Sequence, residues 1–125
     1  MNPITLEWIE KAEGDYITAG RELKARKSPN YDAVCFHSQQ TAEKYLKAYL
    51  HESEQPIPKT HVLLDLLAIC VKIDISFLLI QPDVNALEGY AIQFRYPGQR
   101  AEKIDAKQAY QNAGIIRKFL QLKFS

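Results

Sequence analysis

His37, Gln40 and Lys44 lie three and four residues apart in Phe36-His37-Ser38-Gln39-Gln40-Thr41-Ala42-Glu43-Lys44. On a helix this spacing puts an imidazole, an amide and an ammonium on one strip, a donor set able to hold a phosphate or a base edge. The same strip also reads as an ordinary solvated helix face with His37 hydrogen-bonded at its margin. Pro58-Lys59-Thr60-His61 forms a second group. Free backbone N–H groups at a helix start attract anions, and Lys59 and His61 reinforce that preference; the alternative is a Thr-capped helix after a Pro-rich turn. The third group is Phe94-Arg95-Tyr96-Pro97-Gly98-Gln99-Arg100. Arg95 offers planar, multi-donor recognition of phosphate and Tyr96 a stacking surface, both on a connection rather than in a core. Its structural alternative is an Arg paired with a carboxylate beside a Tyr plug.

Other chemistry has no foothold. The chain lacks a Gly-rich phosphate loop, His-Glu-x-x-His and Gly-x-Ser-x-Gly. Cys35 and Cys70 stand 35 apart with no Cys-x-x-Cys pair, which argues against a zinc cluster or a disulfide framework. Both read as small buried hydrophobes, and no metal or cofactor is expected. Trp8 and most tyrosines fall at core-compatible spacing. Arg117, Lys118 and Lys123 read as complements to the dipole of a final helix, or as a basic contact surface.

Helices must position these groups. Thr5 is the expected cap of a first helix with Leu6, Ile9, Ala12, Tyr16, Ala19 and Leu23 at helical spacing, stopped at Arg26-Lys27-Ser28-Pro29-Asn30. A second helix runs from about Asp32 to Glu52. Val34, Ser38, Ala42, Tyr45, Leu46 and Tyr49 share one of its faces, with Gln40, Lys44, Lys47 and His51 opposite. The prolines of Gln55-Pro56-Ile57-Pro58 make a rigid linker. Thr60 is the expected cap of a third helix, apolar nearly all round from Val62 to Ile73 and so either central or packed on another subunit. Ser76 to Ile80 is a short turn or a strand-like connection. Pro82-Asp83 opens a fourth helix with Val84, Leu87, Tyr90, Ala91 and Phe94, ended by Pro97-Gly98. Asp105 is the expected cap of a fifth, striped by Ala106, Ala109, Ala113, Ile116 and Leu120. Short connections make an all-α bundle of four or five helices the economical fold.

Composition agrees. At 125 residues with 46% hydrophobic and 25% charged residues, only 5 Gly and 6 Pro, the chain suits one helix-rich domain spanning residues 1–125. The start, Met-Asn-Pro-Ile-Thr, lacks the features of a secretory signal, and Asp65, Lys72 and Asp74 interrupt the most apolar stretch. A reduced, cytoplasmic protein is the expectation. The net charge of +1 hides an asymmetry: residues 1–94 carry 9 Lys/Arg against 13 Asp/Glu, while residues 95–125 carry 7 against 2.

Trp8 in a helix with Ala12 and Asp15, then Tyr31-Asp32-Ala33-Val34-Cys35-Phe36-His37-Ser38-Gln39-Gln40, Ala42-Glu43-Lys44-x-Leu46-Lys47-Ala48, Pro58-Lys59-Thr60-His61 and Arg95-Tyr96-Pro97 follow one another along the chain. Together they resemble the HEPN domain, named for higher eukaryote and prokaryote nucleotide binding. The resemblance implies an up-and-down four- or five-helix bundle, commonly a homodimer. It also implies a nucleotide or RNA ligand and, for many small prokaryotic members, a minimal nucleotidyltransferase partner in a toxin–antitoxin-like pair. Other members of the superfamily are metal-independent ribonucleases whose signature is Arg, four to six residues, then His. Arg95 matches that arginine, with an electrostatic catalytic role, but no histidine follows it in this sequence. The expected nucleotide-binding set is thus His37, Gln40, Lys44, His61, Arg95 and Tyr96, with a binding module, a ribonuclease using a displaced histidine and a purely structural interaction bundle as the competing functions.

Overall fold

A computed structural model describes all 125 residues, and every regular element in it is helical. The first helix, α1 (Pro3–Leu23), starts before Thr5 because Pro3 occupies the first turn, where a missing N–H is harmless. Asn2 is its cap, accepting from the Ile4 N–H at 2.8 Å. Thr5 is instead fully buried inside the helix, and its hydroxyl donates to Glu52 Oε1 at 3.0 Å. The Asn2 N–H donates to the same oxygen at 3.1 Å, which ties the start of α1 to the end of α2 (Tyr31–Glu52). At the opposite end Asn30 caps α2, while its own N–H donates to Glu22 Oε1 at 2.6 Å. The two helices therefore form an antiparallel pair closed at both ends.

α2 is the central helix and touches α1, α3, α4 and α5. Its expected polar face is not solvated: Lys47 is buried, and His37 and Lys44 are turned toward α1. From Ser53 the Pro-rich segment doubles back along α2 until His61 lies against Gln39 and Glu43. There α3 (Leu63–Ile73) begins. Val62 holds the cap position, and the Thr60 hydroxyl accepts from the Val62 N–H at 3.1 Å just ahead of the helix. Only one face of α3 is covered, that of Leu63, Leu66, Leu67 and Cys70, while Leu64 and Ile73 remain exposed.

Residues Ile75–Ile80 form a 3-10 turn that drives Phe77 and Ile80 into the core. α4 (Gln81–Gln93) follows, with Pro82 in its first turn. Gly98, at φ 90°, takes the chain through the break before α5 (Lys103–Phe124). Asp105 stands three residues inside α5 as half of a capping box with Glu102, whose N–H it accepts at 2.8 Å. The Ala101 N–H donates to Asp32 Oδ1 at 2.7 Å, fastening this connection to the start of α2.

Tyr45, Leu46, Leu50, Leu66, Phe77, Leu87, Ile116 and Leu120 make one continuous core. Each such side chain contributes roughly 1.5–3 kcal/mol on burial, against roughly 0–1 kcal/mol for an exposed ion pair, so packing dominates the fold. α1 and α5 run antiparallel and interlock. The Tyr16 and Tyr110 rings stack at 4.7 Å, and each hydroxyl end sits over a glycine of the opposite helix, Tyr110 over Gly20 and Tyr16 over Gly114.

Candidate functional site

Spacing alone places His37 and Lys44 on one strip; the structure supplies what they share. Asp15, one residue from the Tyr16 stack on α1, lies with one carboxylate oxygen 2.7 Å from His37 Nδ1 and the other 2.5 Å from Lys44 Nζ. A carboxylate only accepts, so Nδ1 donates and Nε2 is the ring nitrogen left without a partner in the chain. Phe36 projects beside it, more than half exposed, edge-on to the imidazole.

Gln40 and His61 belong to a neighbouring network. Gln40 donates to Gln39 Oε1 at 2.8 Å, and Gln39 Nε2 donates to the His61 carbonyl at 3.4 Å and to Glu43 Oε1 at 3.5 Å. Glu43 is nearly inaccessible and is neutralised by Lys47, also buried, at 3.1 Å. Lys47 in turn lies 5.6 Å from the Trp8 ring centroid. His61 Nδ1 approaches Glu43 at 3.3 Å, but the imidazole is 86% exposed, so it is a surface attachment to the pair rather than part of it. Four of the six expected residues thus fall in two adjoining clusters along α2, each organised by one carboxylate.

Arg95 and Tyr96 stand apart. They follow the last turn of α4, are exposed, and make no side-chain hydrogen bond or ion pair with any other residue. Nothing in the chain links them to His37 or His61. The carboxylate partner that a purely structural Arg95 would need is absent, and the Tyr96 ring is 63% exposed rather than plugging the core.

A further polar cluster, between α1 and α5, has no counterpart in the sequence reading. Arg117 donates two hydrogen bonds of 2.7 Å to Glu13, and Tyr45 donates to the same carboxylate at 2.5 Å. The guanidinium also lies 4.6 Å from the Tyr16 ring centroid. Arg117 is therefore a partner of a carboxylate on another helix and not a dipole complement. Its two hydrogen bonds hold the Glu13 carboxyl below the usual range, and burial raises the Tyr45 phenol. Lys123 likewise pairs with Asp74 at 2.6 Å and donates to the Ser76 hydroxyl at 2.7 Å, pulling the Asp74 carboxyl down to about 2. The only sequence signal for these pairs is opposite charge on amphipathic helices, which does not specify partners.

No three His, Cys, Asp or Glu side chains converge in a way that could hold a metal ion, and no helix is long and apolar enough to cross a membrane. Both cysteines are buried. The HEPN domain family matches residues 5–123. The chain belongs to the HEPN family. Membership ties this domain to nucleotide- and RNA-related function in general. The HEPN chain is also similar to the crystal structure of TT1696 from Thermus thermophilus. The two are 28% identical with a TM-score of 0.74, over 95% of this chain and 97% of that one. A search of curated proteins finds no match.

Proposed function

We propose that this HEPN domain binds a nucleotide or an RNA phosphate, with Arg95 holding the phosphate and Tyr96 stacking on the base. One observation carries this reading: among the expected site residues, Arg95 is the cation with no anion of its own, presented on a connection beside an exposed aromatic ring. His37, Gln40, Lys44 and His61, each already partnered within the chain, are the remaining members of the proposed set. A minimal nucleotidyltransferase chain is the proposed partner, in a toxin–antitoxin-like or nucleotidyl-transfer pair inside the cell. The exposed apolar run Leu64, Ile73, Ile75, Leu78 and Leu79 supports a homodimer.

Calorimetric titration with ATP, GTP and a short RNA tests the reading. A charge-assisted hydrogen-bonding contact is worth about 1.5–3 kcal/mol, so Arg95→Ala is expected to weaken binding roughly 10- to 100-fold with little change in melting temperature. No binding by the wild-type chain, with the partner present or absent, sinks it.

A metal-independent ribonuclease is the second reading, and the Asp15–His37 pair is what favours it. An imidazole held at Nδ1 with Nε2 unpartnered is the arrangement of a general base. Within one chain no hydrogen bond joins His37 to Arg95, and this reading has a second copy bring them together. It predicts RNA cleavage in EDTA, lost in both Arg95→Ala and His37→Ala; intact RNA at stoichiometric protein rejects it.

A further inference from the structure

The antiparallel pair α1–α2 and the Ala101–Asp32 hydrogen bond bring two connections to the same end of the bundle. Around the α1–α2 connection stand Arg21, Lys24, Arg26 and Lys27; around the α4–α5 connection stand Arg95, Arg100, Lys103 and Lys107. All eight are exposed and none makes an ion pair. The four carboxylates in the same stretches are each committed to backbone. Glu22 accepts from Asn30, Asp32 from Ala101, Asp105 from Glu102, and Glu102 from the first turn of α5. Eight cations against four acids leave this end at +4, so the rest of the chain, whose total is +1, carries −3. Part of the basic excess of the last quarter, that of Arg95, Arg100, Lys103 and Lys107, is in three dimensions one half of a basic end, completed by Arg21, Lys24, Arg26 and Lys27.

We infer that this end of the bundle is a docking surface for the phosphate backbone of a single-stranded nucleic acid, with Lys24, Arg26 and Lys27 contacting phosphates beyond the one held at Arg95. The inference rests on the nucleotide reading above and extends it from a mononucleotide to a strand. Neighbouring helix axes lie about 8–10 Å apart, so cations spread over two connections reach farther than one nucleotide, and only a polymer engages both. The first connection is also preorganised: Ser28 holds φ 47° and the Glu22–Asn30 hydrogen bond closes the turn, which lowers the ordering cost of binding. Tyr96, exposed among the cations, gives a base a stacking partner worth roughly 1–3 kcal/mol.

Fluorescence anisotropy with a labelled single-stranded RNA of about 12 nucleotides, a length within the usual single-strand site sizes, across a salt series tests this. It compares the wild-type chain with the triple variant Lys24→Gln/Arg26→Gln/Lys27→Gln. Losing three phosphate contacts should weaken RNA binding about tenfold or more. It should also make the slope of log K against log salt shallower by about 2, with ATP affinity unchanged. Wild-type RNA affinity and slope in the triple variant overturn the inference while leaving the Arg95 reading intact. Loss of RNA binding in the triple variant, with no ATP binding by wild type, supports the strand surface and rejects the mononucleotide site. Binding to anionic phospholipid vesicles in place of RNA also overturns it.

Discussion

Asp15 serves two cations with one carboxylate while Arg95 has none, and that contrast separates side chains that hold the domain together from those free for a ligand. The strip His37, Gln40 and Lys44 is readable from helical spacing because its members lie within eight residues of one another. The group that organises His37 and Lys44 is not, since Asp15 sits 22 residues before His37 and on another helix. The same reason explains why the dipole role expected of Arg117 fails: its partner Glu13 is 104 residues away, whereas the dipole argument uses only local position. Local cues do succeed for the cysteines. Burial pushes the thiols of Cys35 and Cys70 up to about 12, far from the ordinary value near 8.5. Neither should react with a disulfide reagent at pH 8 in the native chain, and both should react once it is unfolded in urea. Rapid colour release from the native protein would contradict this.

At the level of helices, periodicity identifies the five α-helices, because each has an apolar stripe long enough to be buried, but leaves the 3-10 turn Ile75–Ile80 open between a turn and a strand-like connection. Three starts fall within three residues of the expected caps Thr5, Thr60 and Asp105 but not on them. Asn2 caps α1 and Glu102 closes the capping box of α5, with Thr5 and Asp105 already inside their helices, whereas α3 has Val62 at its cap position and no side-chain cap. Two glycines of α1 test how helix preference trades against packing. Gly14 is exposed, and a Cβ added there would meet nothing within 4 Å. Gly14→Ala should therefore stabilise the domain by roughly 0.5–1 kcal/mol from helix propensity alone. At Gly20 a Cβ would come 2.9 Å from the Tyr110 hydroxyl, and that ring is held by its stack on Tyr16. Gly20→Ala should lose the propensity gain and destabilise by about 1 kcal/mol overall. Urea unfolding of both variants decides it; equal stabilisation would show that the α1–α5 interlock yields without cost.

Across the whole molecule, three depressed carboxyls fasten distant segments: Glu13 through Arg117, Glu52 through the Asn2 N–H and Thr5, and Asp74 through Lys123 and Ser76. Because their folded values are lowered, their contribution is complete above the unfolded carboxylate range near pH 4. It is lost as pH falls toward the folded values, about 2 for Asp74. The urea midpoint should hold between pH 7 and about 5 and then fall between about 4 and 2, with Asp74→Asn removing part of the drop. An undiminished midpoint at low pH would falsify the assignment. The all-helical bundle is legible in the sequence because its stripes are local, whereas the meeting of two basic connections depends on topology. The same topology constrains the birth of the protein. Arg117 is made 104 residues after Glu13, which at about 5–20 residues per second is roughly 5–20 s of synthesis. Throughout that interval α1, joined by α2 once residue 52 is made, waits with its Tyr16 face open. A nascent chain arrested before α5 should be cut by a protease within α1, and one carrying all 125 residues out of the ribosome on an added C-terminal linker should resist.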